Sequence, residues 1–322
     1  MIATLPEPLA RAIEAELESH DAKAIRNAAA ALSEAYRGKR PIARALSPLE
    51  RAAYLAIRFP ATFASAGAVW GELARVCDLS NVRTVVDVGA GPGTASLAGG
   101  SILPGAKFSF VERDSGWRQT AERLATALKI DSSFRVGALP GTISPNDIVV
   151  SAYALNELAE GERAAAIASL WTAARTALIV VEPGTPKGFA VCEAARAQGL
   201  AAGAHAAAPC THNDRCPMTV TDWCHQPVRV ARSARHRTAK LGTLGYEDEK
   251  FSYVILTREP PQRLAPARIV RKPIRNSGHV HLDLCEAGGL QRTTITRSNK
   301  EHYRAARDAE WGDLWPPDQA GA

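Results

Sequence analysis

The stretch Thr84 to Thr94, Thr-Val-Val-Asp-Val-Gly-Ala-Gly-Pro-Gly-Thr, constrains the fold more than any other part of the chain. Val85, Val86 and Val88 form the short apolar run that a strand buried on both faces requires. The run breaks into glycines at alternate positions, and an Ala-, Ser- and Leu-rich helical pattern follows. Glycines let the backbone turn sharply and approach a ligand with no Cβ in the way. The helix start beyond them offers free N–H groups. Strand, glycine turn and helix in that order predict a doubly wound parallel α/β sheet with a ligand at the carboxyl end of the strand.

The spacing Asp87-x-Gly89-x-Gly91-x-Gly93 differs from the Gly-x-Gly-x-x-Gly that cradles a dinucleotide pyrophosphate. An acidic residue ahead of the first glycine suits a cationic ligand, and S-adenosylmethionine carries both an ammonium and a sulfonium. One strand later, Lys107 to Val111 ends in Glu112, a carboxylate placed to accept the ribose hydroxyls of an adenosine. Asp87, Gly89, Gly91, Gly93 and Glu112 are therefore the candidate cofactor-binding residues. Their pattern resembles the first two motifs of class I S-adenosylmethionine-dependent methyltransferases.

Residues 1–80 read as a helical region. Leu9, Ile13 and Leu17 make a helical stripe, and Ala28 to Tyr36 continues it. Ser47-Pro48-Leu49-Glu50 has capping-box spacing. Pro60 is expected to end or kink the helix that starts there, with a further helix from Phe63 to Val76. Arg51, Tyr54 and Arg58 make a helix face that could touch substrate, with a solvated face as the reading taken. Residues 81–258 form the methyltransferase-like domain, with strands near 134–136, 147–151, 177–181 and 250–257 and helices near 116–128, 161–175 and 189–200. A Cys-rich insertion interrupts it at 201–245. Pro260-Pro261 marks a boundary. Residues 259–322 read as a small β-module, with strands near 268–270, 279–284 and 293–296 and a helical tail.

No apolar run approaches the ~18 residues that span a bilayer, so no membrane partner is expected. Glu7, Glu14, Glu16 and Glu18 make the N-terminus unlike a secretory signal or an acid-poor transit segment. A cytoplasmic protein is the expectation, and a monomer is taken over an oligomer. The formal net charge is +6, and from His225 to Arg304 16 Lys and Arg face 7 Asp and Glu. The basic excess therefore lies in one region. A localised polycation points to an anionic macromolecule, most simply RNA.

Three of the cysteines, Cys210, Cys216 and Cys224, fall within fifteen residues, and Cys285 lies further on. A reducing compartment disfavours disulfides, so the cluster points to a metal, with buried free thiols as the alternative. Zinc modules usually pair cysteines two to ~4 residues apart. The wider spacing here suits an iron–sulfur cluster, and Cys216-Pro217 echoes the Cys-Pro of ferredoxin-type binding. His212 and His225 leave a mixed Cys/His zinc site open.

Pro209-Cys210-Thr211-His212-Asn213-Asp214-Arg215-Cys216-Pro217-Met218, Asp222-Trp223-Cys224-His225 and Gly245 to Tyr253 resemble the small-ribosomal-subunit-associated methyltransferase-like family. The resemblance extends to Val85–Thr94, Ser151–Leu158, Cys285 and Trp311-Gly312-Asp313. It implies a role in small-subunit assembly and translation, a 4Fe–4S cluster on Cys210, Cys216, Cys224 and Cys285, and binding to small-subunit rRNA. The basic side chains Arg229, Arg232, Arg235, Arg237, Lys240, Arg271, Lys272 and Arg275 would then contact phosphates.

Catalysis is less legible. Ser151-Ala152-Tyr153-Ala154-Leu155-Asn156-Glu157-Leu158 follows the fourth strand, where such methyltransferases place reactive groups. It lacks the Asp/Asn-Pro-Pro-aromatic of adenine amino-methylation and the nucleophilic Cys of cytosine C5 methylation. Asn156 and Glu157 are the candidate catalytic residues, with helix capping as their alternative. Tyr153 reads as a wall of the adenosine pocket or a core residue. Three functions follow: an rRNA methyltransferase, a non-catalytic assembly factor that keeps the cofactor fold and the cluster, or a small-molecule methyltransferase with no need of the basic region.

Overall fold

The structure is a computed structural model that describes residues 2–37, 45–218, 222–232, 244–263 and 265–317. After a short strand, β1 (Ile2–Ala3), come four helices: α1 (Glu7–Glu18), α2 (Ala22–Arg37), α3 (Pro48–Ile57) and α4 (Phe59–Val76). The expected stripe is buried: Leu9, Ile13 and Leu17 are at most 5% exposed. Ser47 caps α3 by accepting from the Glu50 N–H, and the Glu50 carboxylate accepts the Ser47 N–H in return. Pro60 neither ends nor kinks α3. It sits in the first turn of α4, where its missing N–H has no intrahelical acceptor to lose.

The alternating region supplies β2 (Thr84–Val88), α5 (Thr94–Gly99), β3 (Lys107–Glu112), α6 (Arg118–Ala127), β4 (Ser132–Val136), β5 (Asn146–Ala152), α7 (Glu160–Ala173), β6 (Ala174–Pro183) and α8 (Pro186–Ala201). Then come β7 (His205–Ala208), β8 (Gln226–Ala231) and β9 (Tyr246–Thr257). The sheet runs β4-β3-β2-β5-β6-β9. β2 to β6 are parallel and β9 is reversed against β6. This is the class I methyltransferase sheet, mixed α/β with helices on both faces. β7 and β8 both pair with β9, β1 pairs with β8, and both β7 and β8 lie within the span 201–245. Alternation along β2 explains the two layers. Val85 enters one core with α1 to α4, while Val86 and Val88 enter the other with α7 and α8.

Helix α4 lies across α5. The Trp70 indole N–H donates to the Ala95 carbonyl at 2.9 Å, and a Cβ on Gly99 would stand 2.5 Å from the indole. This close approach holds the N-terminal helices over the turn that follows β2.

A second sheet forms the C-terminal module from β10 (Ala267–Ile269), β11 (Ile274–Arg275), β12 (His279–Glu286), β13 (Gly289–Thr296) and β14 (Leu314–Trp315). Helix α9 (Lys300–Asp308) packs on it over Ile269, Val280, Leu282, Leu284 and Trp315. The module is tied to α4 by Arg268, 3% exposed, which donates to Glu72 at 2.7 Å. Burial alone would raise the Glu72 carboxyl, but Arg268 and Arg75 outweigh it and hold the group below its ordinary value. A carboxyl lowered by folding stabilises the protein above its unfolded pKa and loses that effect as pH falls. Glu72→Gln is expected to destabilise the protein by about 3 kcal/mol at pH 7, by stranding a buried guanidinium. Urea unfolding checks this, and the penalty should shrink below pH ~4 as the wild-type carboxyl protonates.

Candidate functional site

Gly89, Gly91 and Gly93 all adopt positive φ, at 77°, 53° and 80°. The first and last are also sterically obligatory. A Cβ on Gly89 would stand 2.4 Å from the Ala154 Cβ, and one on Gly93 2.9 Å from the Phe110 ring. The turn therefore wraps against β3 and β5 and opens above them into a cavity of about 260 Å³. Glu112 borders this cavity and accepts from the Gly91 N–H and the Asp114 N–H, both at 2.9 Å. Asp87 lies beneath, 1% exposed. Its Oδ2 accepts the Ser96 N–H at 3.2 Å, while its Oδ1 has no partner. Burial pushes its carboxyl up to about 7. All five candidate cofactor residues thus lie on or immediately around one cavity.

The cavity's other wall corrects the expected solvated helix face. Tyr54 and Arg58 line it, and Arg51 pairs with Asp114 at 3.8 Å. Tyr153 also lines it, in a left-handed conformation (φ 58°) that is an outlier for a bulky residue. Its hydroxyl lies 2.9 Å from the Ser65 Oγ on α4, and the Arg58 guanidinium sits 5.9 Å from its ring centroid. Strain at a cavity wall marks a held geometry, fixed here from both β5 and α4.

Asn156 and Glu157 also line the cavity but are engaged within the protein. The Asn156 amide N–H₂ donates to Glu182 Oε2, and its backbone N–H donates to Oε1. Glu182 is fully buried at the end of β6, and burial pushes its carboxyl up to about 8. Glu157 is raised by burial and lies 3.4 Å from Arg113. Neither candidate is a helix cap. Glu182, absent from the candidate set, is the residue that fixes Asn156; the Glu182-Pro183-Gly184 strand ending was its only signal.

The second site is the cysteine cavity. Cys210, Cys216, Cys224 and Cys285 line one small cavity below α8, with Phe189, Met218 and Val270 as apolar neighbours. Burial raises the thiols of Cys216, Cys224 and Cys285, the last to about 12. His212 borders the same space, its Nε2 3.7 Å from Cys285 Sγ. His225 does not. It stacks on Trp223 and meets Trp311 edge-on, at 5.4 and 4.8 Å between ring centroids. Among the described residues no three His, Cys, Asp or Glu side chains are grouped so as to hold a metal ion. The donor set is soft sulfur, with Arg196, Arg268 and Glu193 also lining the space, and soft sulfur fits a thiolate-held centre.

Of the candidate RNA contacts, Arg235, Arg237 and Lys240 lie outside the described residues. Arg229 forks onto Asp248 at 2.7 and 2.9 Å, directly across the β8–β9 ladder. Arg232 pairs with Glu247, Arg271 with Asp222 and Arg275 with Glu310. Lys272 is exposed.

A family model described as mitochondrial small ribosomal subunit Rsm22 matches residues 48–316. The chain is 29% identical over 294 residues to the human mitochondrial ribosome assembly protein METTL17, covering 82% of this chain and 62% of that one. It is 26% identical to the mitochondrial Rsm22-cox11 tandem protein 2 of Schizosaccharomyces pombe, over 82% of this chain and 43% of that protein. The chain thus spans less than two thirds of the length of either relative. Among solved structures, magnesium protoporphyrin IX methyltransferase of Synechocystis with bound SAM is similar over 62% of this chain and 80% of its own, at 16% identity and a TM-score of 0.41. The expected cytoplasmic location is overturned: the family model and both relatives are mitochondrial.

The raised carboxyl of Glu182 has a measurable consequence. A carboxyl whose pKa folding lifts from 4.5 to about 8 costs stability progressively as pH rises through that window. Glu182→Gln keeps an acceptor for Asn156 and removes the titration. Its stability in urea is expected to fall less than that of the wild type between pH 5 and pH 8.

Proposed function

The chain belongs to the Rsm22 family of mitochondrial small ribosomal subunit proteins, and from that membership we propose that it is a methyltransferase-fold assembly factor of the small ribosomal subunit. In this reading it acts in the mitochondrion, contacts small-subunit rRNA, and binds S-adenosylmethionine over Gly89–Gly93. The observation that carries the ligand assignment is the unpartnered Asp87 Oδ1 beneath a glycine cradle that also binds the Glu112 carboxylate. Asp87 offers charge to the cationic methionine end and Glu112 offers acceptors to a ribose. S-adenosylmethionine, when bound, supplies a sulfonium-activated methyl group.

The engaged state of Asn156 and Glu157 favours binding over methyl transfer, since the Asn156 amide N–H₂ is spent on Glu182. Transfer to rRNA is the second reading. The strained Tyr153, held at the cavity wall by Ser65, favours it because such geometry clusters at reactive sites. The cysteine cavity is assigned a 4Fe–4S cluster on Cys210, Cys216, Cys224 and Cys285, with zinc as the alternative. Five thiols border one space, Cys192 of α8 with the four assigned ones, and soft sulfur donors suit an iron–sulfur centre. The cluster, when bound, would cross-link the 209–225 segment to β12.

Two measurements check this. Calorimetry with S-adenosylmethionine should show affinity rising from pH 6 to pH 8 as Asp87 ionises through about 7, and Asp87→Asn should weaken binding and flatten that rise. Pull-down of small subunits across a salt series should show steep loss of association with rising salt. Salt-independent capture would argue against phosphate contacts.

A further inference from the structure

Two arginines line the cysteine cavity and are almost wholly buried: Arg196 of α8 at 4% exposure and Arg268 of β10 at 3%. They come from separate elements, one from α8 and one from β10 of the second sheet. Arg268 has a carboxylate partner, Glu72, and also donates to the Gly312 carbonyl at 2.6 Å. Arg196 has none. Its Nη2 donates to the carbonyls of His212 at 2.9 Å and Asp214 at 2.6 Å, and its Nε has no partner. Among the described residues no carboxylate lies within ion-pair distance of it.

An arginine does not escape this by losing its proton, because the guanidinium stays charged in proteins. Burying an ion without a counter-ion costs several kcal/mol, and carbonyl dipoles offset only part of that. Glu72 is shared with Arg75 at 2.9 Å, so Arg268 is incompletely neutralised as well. Glu193 also lines the cavity but forms no ion pair with either arginine, and the other groups there that can supply negative charge are the sulfurs. Neutral thiols supply none. Four thiolates around a dicationic core, whether one zinc ion or an oxidised cubane, leave a dianion that two guanidiniums balance.

We propose that Arg196 and Arg268 are the counter-charges of a net-anionic, thiolate-held metal centre in this cavity, and that Arg196 is specific to it. This rests on the reading that Cys210, Cys216, Cys224 and Cys285 hold a centre. Arg196 then has two tasks. Its Nη2 holds the Cys210–Cys216 loop by the carbonyls of residues 212 and 214, and its charge retains the anion. Only the second task depends on the metal.

The test separates them. The wild type, Arg196→Met and Arg196→Lys are purified anaerobically. Each is loaded with equal parts of ferric and ferrous iron and with sulfide, or with zinc, and a matched sample is stripped with chelator under reductant. Thermal unfolding is followed in all, and metal retention against the chelator is measured. Arg196→Met should lower the melting temperature of the loaded protein but raise or preserve that of the stripped protein, since the stripped form loses an uncompensated charge. Its metal retention should fall about tenfold, the usual effect of removing an outer-shell partner. Arg196→Lys keeps the charge and should restore most of the retention. If iron is bound, Arg196→Met should also move the midpoint potential to lower values, because the reduced, more negative centre loses its cation. The same change of melting temperature in loaded and stripped protein would leave Arg196 a loop anchor and overturn the proposal. So would Arg196→Lys behaving like Arg196→Met. A wild type that takes up neither iron nor zinc would instead remove the reading beneath it, and that is seen before any variant is compared.

Discussion

The buried guanidinium of Arg268 is where the parts of this molecule meet. It stands on β10 of the C-terminal module, donates to Glu72 on α4, takes the Gly312 carbonyl of the tail, and borders the cysteine cavity. Nearly full burial makes each of those contacts obligatory, because a charge withdrawn from water must be matched within the protein. The module cannot shift on the main domain without stranding that charge. Other contacts bind the same joint: Thr211 donates to the Pro266 carbonyl, and the Gly288 N–H donates to Asp214, so the cysteine segment is held from both sides.

That joint also reaches the cofactor-type cavity. Helix α4, which receives Arg268 through Glu72, carries Thr62 at the cavity and Ser65 against the Tyr153 hydroxyl. Its Trp70 grips α5, the helix that follows the glycine turn. One helix therefore lines the first cavity and, through the Glu72–Arg268 pair, holds a wall residue of the second. The glycine turn is fixed from below as well, since Gly89 admits no side chain against Ala154. The cysteine cavity lies where α8 meets the second sheet, lined by Arg196 from one and by Arg268 and Cys285 from the other.

Much of this was legible in the sequence, for physical reasons. A valine run ending in spaced glycines has few structural solutions, and all three glycines took the left-handed region such a turn requires. Glu112 was legible because a strand tip has a fixed place in a parallel sheet. The cysteines were found as a set, but what brings Cys285 to the others is the β12–β10 pairing, which spacing does not encode. Arg196 was hidden because a single arginine in an alanine-rich helix reads as a surface residue. The arginine pairs were hidden too: Arg229 meets Asp248 only through the register of β8 on β9. Tyr54 and Arg58 read as solvated because nothing local reveals that α3 and α4 close over the sheet. The compartment was misread from acidic N-terminal residues, a composition argument that the mitochondrial relatives override.

The central proposal is an inorganic centre between α8 and the second sheet. X-ray diffraction from anaerobically grown crystals at the iron absorption edge tests that most directly. The account predicts strong anomalous density within reach of Cys210, Cys216, Cys224 and Cys285, beside the Arg196 and Arg268 guanidiniums. Absence of iron or any other metal there, with four unmodified thiols in the cavity, would contradict it.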